Sequence, residues 1–393
     1  MASDVSDLVS DVSESVERIG RRVQLMEVCG THTVSIFRHG LRSLLPEGLR
    51  LVSGPGCPVC VTAQRHIDAA IELARRSGVV IATYGDMVRV PGRCGSLEEQ
   101  RGAGADVRVV WSARSALELA VRHPQRPVVF LAVGFETTAP ATAAVVLEAV
   151  RRSVENFFIL AAHKLVVPAM LALLEGGSVP LDGFLCPGHV SVVTGSRAYA
   201  PVVERFSIPC VIAGFEPHDI VRAIAALVRQ VEVGEARIEN LYPVAVTASG
   251  NHVAQTFLDR VFRVCDAPWL ALGVIRESGL ELRPEFEWFD ALPRFGIELG
   301  ADVDSPACRC GEVIQGKVMP EECELFGAGC TPLRPVGPCM VSSEGTCSAW
   351  YKYRAAMPVH RRPVGTKQPM GPVGLKLLTE PGMCAQPARG SRS

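Results

Sequence analysis

The sequence predicts an α/β protein with two parallel-sheet domains and a third, loop- and helix-rich domain, and three observations carry that expectation. Short apolar, β-branched runs alternate with segments of helical spacing, the pattern of parallel strands joined by helical crossovers. A chain of 393 residues is long enough for two or three domains of roughly 150 residues each. After residue 300 the composition turns rich in Cys, Gly and Pro and poor in strand-like runs.

In order along the chain, an acidic N-terminal extension occupies 1–20. A first α/β domain over 21–124 begins with the apolar MEV at 26–28 and takes the strands LRLVSG, VVIATYG and VRVVW, with helices expected at Ala63–Arg76 and Ala113–His123. The polar HPQRP at 123–127 marks the break. A second α/β domain over 125–233 takes VVFLAVG, FFILAA, FLCPG and CVIAG, with a helix at Ala139–Arg151. From 234 the pattern becomes mixed helix and loop, and a third domain over 234–355 needs an internal staple because it offers little apolar core. The Pro/Gly-rich basic stretch at 356–393 reads as a solvated, disordered tail.

The charge balance excludes several partners. Forty Lys and Arg stand against 41 Asp and Glu, so no global field exists to hold nucleic acid or an anionic membrane. The longest apolar stretches are broken by Glu136 and by His163 and Lys164, so none is long enough to span a bilayer. The N-terminus lacks the basic-then-apolar order of a secretory signal, and the expected location is cytoplasmic.

That location makes the 14 cysteines informative, because thiols in a reducing compartment are more often ligands, nucleophiles or redox pairs than disulfides. Cys308, Cys310, Cys323, Cys330, Cys339 and Cys347 fall within 40 residues, while Cys29, Cys57 and Cys60 form an N-terminal set. Cys94, Cys186, Cys210, Cys265 and Cys384 are scattered and read as small hydrophobes or idle thiols.

In GPGCPVC (54–60), which follows a strand and opens a helix, an exposed Cys57 would be stabilised as thiolate by the helix N-terminus while Cys60 resolves a mixed disulfide. Half of a zinc knuckle is the other reading, although no second CxxC exists in the chain. In MEVCGTHT (26–33) a Cys-Gly turn exposes Cys29, and His32 is placed to accept its proton or orient a ligand; a buried cysteine and a capping Thr-His fit the same spacing. Cys310, Cys323, Cys330 and Cys347 give C-x12-C-x6-C-x16-C, four soft donors for an iron–sulfur cluster or, with different preferred spacing, a structural zinc; four cysteines holding no metal fit the spacing as well. The loops TYGDMVRVPG (83–92), GFETTAP (134–140), CPGHVS (186–191) and AGFEPHD (213–219) sit at strand ends, where open α/β sheets bind ligands. Glu136, His189 and Glu216 are their titratable residues, each of which a helix-capping role would also explain. Neither a P-loop nor a dinucleotide fingerprint is present, which disfavours a nucleotide enzyme.

These motifs, in this order over about residues 25–353 and together with the run from Arg309-Cys310-Gly311-Glu312 to SSEGTCSAWYKY, resemble the HypD family of nickel–iron hydrogenase maturation factors. The resemblance implies a redox-active scaffold, with a third, iron–sulfur domain. With a small HypC-type chaperone it holds the iron on which Fe(CN)2CO is assembled, the cyanide arriving through a HypE-type partner. It implies that Cys29, with His32 close by, holds the assembling iron, which carries CN and CO ligands. Cys57 and Cys60 would be a redox dithiol connected to a [4Fe-4S] cluster on Cys310, Cys323, Cys330 and Cys347. Cys308 and Cys339 flank that set, so its choice rests on motif matching as much as on spacing. A free-standing disulfide reductase and a zinc-stapled binding protein are the rival classes.

Overall fold

The computed structural model describes residues 2–302 and 307–353; the basic stretch at 356–393, with Cys384, lies outside the described residues. The chain forms strand β1 (Val23–Glu27), crosses through helix α2 (Gly30–Arg38) to β2 (Leu49–Ser53), then runs through α3 (Pro58–Val61) and α4 (Gln64–Ala74). Strands β3 (Val80–Thr83), β4 (Asp106–Val109), β5 (Val128–Gly134) and β6 (Phe157–His163) follow, linked by α5 (Leu97–Gly102), α6 (Ala113–Arg122) and α7 (Ala139–Arg151). Helix α8 (Val166–Glu175) leads to β7 (Gly183–Pro187), α9 (Gly188–Thr194) and α10 (Ala200–Phe206) to β8 (Cys210–Ala213), and α11 (Pro217–Val233) to β9 (Ile238–Asn240).

Two parallel sheets result, as expected, but not as consecutive blocks. One has the order β2-β1-β7-β8-β9 and the other β4-β3-β5-β6. The chain leaves the first sheet after β2, builds the whole second sheet, and returns on the far side of β1. The division at 124/125 therefore does not coincide with the sheets: strands from either side of it share both. Sequence proximity favours neighbouring strands but does not compel it, and here the long crossover wins. The inward positions are continuous apolar runs, because both faces of each sheet are covered: β1 is buried at all five residues and β5 at all seven.

Three further elements differ from expectation. The N-terminal extension is a helix, α1 (Ala2–Ile19), whose Val5, Leu8, Val9, Val12, Val16 and Ile19 recur at helical spacing and join the cluster containing α11. After α12 (His252–Val261), the segment read as mixed helix and loop forms an antiparallel ribbon, β10 (Phe262–Trp269) and β11 (Gly273–Leu282), which lies against α8 and β6. Beyond α13 (Ala291–Phe295), the cysteine-rich segment carries α14 (Cys310–Ile314), α15 (Pro338–Val341) and α16 (Thr346–Tyr353). Its Cys310, Val313, Cys330, Met340 and Cys347 belong to the same buried cluster as Met26, Val52, Ile81, Leu131 and Phe184, so it packs onto a core shared with both sheets. Among the described residues, no helix is long and apolar enough to cross a membrane.

Candidate metal and redox site

In the five-stranded sheet the chain moves from β1 outward to β2 and later comes back to β7 on the opposite side of β1, which makes the β1/β7 gap a topological switch point. In open α/β sheets such a point is where the loops at the strands' carboxyl ends gather functional groups. Cys29 ends β1 and caps α2, and Gly188 and His189 follow β7. The GPGC loop after β2 comes directly alongside. Gly30 N–H donates to Gly56 O at 3.1 Å and Gly54 N–H to Glu27 O at 2.7 Å. A Cβ on Gly56 would lie 2.2 Å from Cys29 N, so only glycine permits this approach.

A third loop closes the site from above 300 residues away. Glu344 Oε1 accepts Thr31 Oγ1–H at 2.8 Å, and a Cβ on Gly30 would meet Glu344 Cβ at 2.5 Å. Asp86 of the TYGD loop clamps this SSEG segment, accepting Ser343 N–H at 2.8 Å and Ser343 Oγ–H at 2.9 Å. Consequently Cys29 is buried, 7% exposed, and Cys57 is 5% exposed. The expectation that both turns expose their thiols is corrected: a strand-end turn is open only when no distant loop covers it. Burial pushes the Cys29 thiol up to about 12; the His32 and Thr31 N–H groups work against this, while Glu344 and Glu27 add to it. The folded protein thus holds Cys29 protonated.

Behind Cys29, the buried Glu27 carboxyl accepts Cys29 N–H at 3.1 Å and the Thr33 hydroxyl, and burial lifts it to about 7. His32 is fully buried, and its Nε2 lies 2.8 Å from Gly214 O, an acceptor, so Nε2 carries the proton. Burial drives His32 down to about 4, and its Nδ1 has no partner, which leaves a neutral imidazole with a free lone pair. Phe215 carries His32 at 5.0 Å on one side and stacks on His189 at 3.9 Å. The CGTH, PGHVS and AGFEP loops therefore converge. Glu136 takes the structural role: its Oε1 accepts Val166 N–H at 2.9 Å and caps α8. Glu216 is exposed at the start of α11.

Cys57 caps α3, with its Sγ accepting Cys60 N–H at 3.2 Å. Cys60 is pushed well above its ordinary value by burial and by the neighbouring Cys339 and Cys57. Cys339 in turn meets Cys347, whose thiol, with that of Cys60, pulls Cys339 down against the effect of burial. Cys347 N–H donates to Cys339 Sγ at 3.2 Å, and Val336 N–H to Cys330 Sγ at 3.3 Å. Cys308 contacts Cys310. Sulfur thus follows sulfur from Cys57 to Cys347. Sequence reasoning set Cys339 aside, and no spacing distinguishes it from its neighbours; only the fold places it between the CxxC and the C-terminal set.

All four expected ligands, with Cys308 and Cys339, line one small pocket walled by Val313, Leu325, Phe326 and Met340. Gly337 belongs to this wall, since a Cβ there would lie 2.5 Å from Cys308 Sγ. Six soft donors in a small, mostly apolar pocket suit an iron–sulfur cluster in donor type and surroundings. Among the described residues, no group of three or more His, Cys, Asp or Glu side chains is already arranged around a single metal ion.

A family model, HypD, described as the hydrogenase formation hypA family, matches residues 3–354. The hydrogenase maturation factor HypD of Azotobacter vinelandii is 48% identical over 341 residues, 85% of this chain and 90% of its own. Its counterpart in Cupriavidus necator is 47% identical over 344 residues, covering 86% and 91%. The Escherichia coli protein is 45% identical over 335 residues, covering 85% and 90%.

Proposed function

The chain belongs to the HypD family of hydrogenase maturation factors, and from that premise we propose that it is the redox-active scaffold on which the Fe(CN)2CO group of the hydrogenase active site is assembled. One observation carries the reading: the turn bearing Cys29, the CxxC loop and the SSEG loop meet at the β1/β7 switch point, with a line of thiols leading from Cys57 to the cysteine pocket.

The substrate is an iron ion that leaves carrying cyanide and carbonyl. Cys29 binds it as thiolate, a soft donor suited to a metal with such ligands, and gives up its proton on doing so. His32, held by Gly214 O, offers the unpaired Nδ1 on the same helix. The Glu27 carboxyl keeps the Cys29 turn in shape. Cys310, Cys323, Cys330 and Cys347 would hold a [4Fe-4S] cluster, which when bound supplies single electrons. Cys57 and Cys60 are the exchangeable dithiol, close enough for Cys60 N–H to reach Cys57 Sγ. A small HypC-type chaperone shares the iron and a HypE-type partner delivers cyanide, in the cytoplasm.

Infrared spectroscopy of the anaerobically purified protein with its small partner, alongside iron, zinc and sulfide analysis, tests the reading. Cyanide and carbonyl stretches with iron and sulfide are expected. Disulfide turnover without those bands, or zinc in place of iron, would replace it with a reductase or a binding protein.

A further inference from the structure

We propose that Ser342 and Asp86 form a relay that takes the proton of Cys57 when that thiol reacts. The inference rests on the dithiol reading and adds to it the groups that make Cys57, rather than Cys60, the attacking member. Cys57 is too buried to shed its proton to bulk water directly. Its Sγ accepts Cys60 N–H and donates to Ser342 Oγ at 3.2 Å.

A serine hydroxyl has two lone pairs and one proton. At Ser342 one lone pair receives the Cys57 thiol and the other the Glu344 N–H at 3.2 Å. The remaining proton points at Asp86 Oδ2, 3.3 Å away. Ser342 is 1% exposed, so no water competes for that direction. Asp86 is half-buried and opens toward solvent, held by the Ser343 N–H and hydroxyl. The order is thiol, hydroxyl, carboxylate, then water. Among the described residues, the ionisable side chains that act on Cys60 are the thiols of Cys57 and Cys339.

With a small disulfide reagent RSSR, the Cys57 proton passes to Ser342 as the hydroxyl's own proton passes to Asp86. The Cys57 sulfur bonds to one reagent sulfur and expels RS⁻, which is protonated from Asp86 through solvent. Cys60 then attacks the Cys57 sulfur of the mixed disulfide and displaces the second RS⁻, which takes the Cys60 proton and leaves as RSH. The pair is oxidised by two electrons to the Cys57–Cys60 disulfide, and the reagent is reduced to two RSH.

The test is the rate at which iodoacetamide alkylates Cys57 in the anaerobic full-length protein at neutral pH, followed by mass mapping. Alkylation needs no disulfide, so it reads the relay independently; disulfide formation with RSSR is scored separately and tests the dithiol reading. Ser342→Ala and Asp86→Asn are expected to slow Cys57 about 100-fold, a loss typical of positioned proton transfer. Ser343→Ala, which loosens the loop but leaves the relay, stays within about twofold of wild type, and Asp86→Glu recovers most of the rate. The direction is diagnostic, because a merely structural role would expose Cys57 on mutation and speed its alkylation. Wild-type or faster alkylation in Ser342→Ala, or a Ser343→Ala protein as slow as Asp86→Asn, overturns the relay. If Ser342→Ala is slow yet no disulfide ever forms, the relay stands and the dithiol reading falls.

Discussion

Cys29 shows how a single side chain can be chemically quiet until its partner arrives. A thiol pushed to about 12 by burial is inert toward oxidants and alkylating agents at neutral pH, because the thiolate is the reacting species. On the scaffold reading proposed above, a soft metal reverses this by replacing the proton. Cys29→Ser keeps the volume but offers a hydroxyl that stays protonated and binds soft iron poorly. That variant is expected to fold, keep the iron and sulfide of the cysteine pocket, and lose the cyanide and carbonyl bands in complex with the small partner. His32→Ala should weaken the bands about 10–100-fold in yield rather than abolish them, the usual loss for a group that supports a ligand. Full-intensity bands in Cys29→Ser would move the iron elsewhere, with the CxxC pair next in line.

At the scale of elements, the site depends on how closely two strand-end loops approach, and Gly56 sets that distance. An added Cβ 2.2 Å from Cys29 N can be relieved only by moving backbone. Gly56→Ala should therefore cost about 3 kcal/mol in urea denaturation, the upper part of the overpacking range, and should leave Cys29 more rapidly alkylated than in wild type. An unchanged denaturation midpoint would mean that the loops are not in contact in solution. The elements that meet here were largely legible: the runs LRLVS, VVFLAVG and CVIA are strands, and Ala139–Arg151 is the helix expected. Their periodicity is local, and local pattern decides element type. The β10–β11 ribbon escaped because its outward face alternates charged and small apolar residues, Arg263 opposite Glu281 and Val274 opposite Pro268, which mimics loop composition. Helix α1 was not legible because serine and acidic residues fill most positions between Val5, Val9, Val12 and Val16, which leaves its apolar stripe narrow.

At the scale of the whole molecule, strand order and burial were not legible, since both depend on contacts between distant residues: Glu344 covers Gly30, and β7 pairs with β1 across the entire second sheet. Burial of so many titratable groups gives the fold a pH dependence that can be worked out. His32, His66 and His163 are buried, and burial drives them to about 4, 3 and 3. Unfolded, they titrate near 6.5, so below about pH 6.5 the unfolded chain binds three protons that the folded chain refuses. Their contribution is complete above about pH 6.5 and is lost as the pH falls through the folded values. Glu27 and Glu136 act in the opposite sense. Burial lifts both to about 7. Their contribution is complete below the unfolded value of about 4.3 and is lost as the pH rises through 7. Between about pH 4.5 and 6.5, three histidines oppose two carboxyls and stability declines gently toward acid. Below about pH 4.5 these two carboxyls are protonated in both states, the histidines are no longer opposed by them, and the decline steepens down to about pH 3. Urea denaturation from pH 3 to 8 should thus give its highest stability at and above about pH 6.5 with a steep acid limb, and His66→Gln should flatten that limb by at most about a third, one histidine of three. A midpoint that stays level from pH 6 to 4, or an acid limb indifferent to His66→Gln, would show that these imidazoles are hydrated in solution and that the core they occupy is looser than the packing of both sheets around it implies.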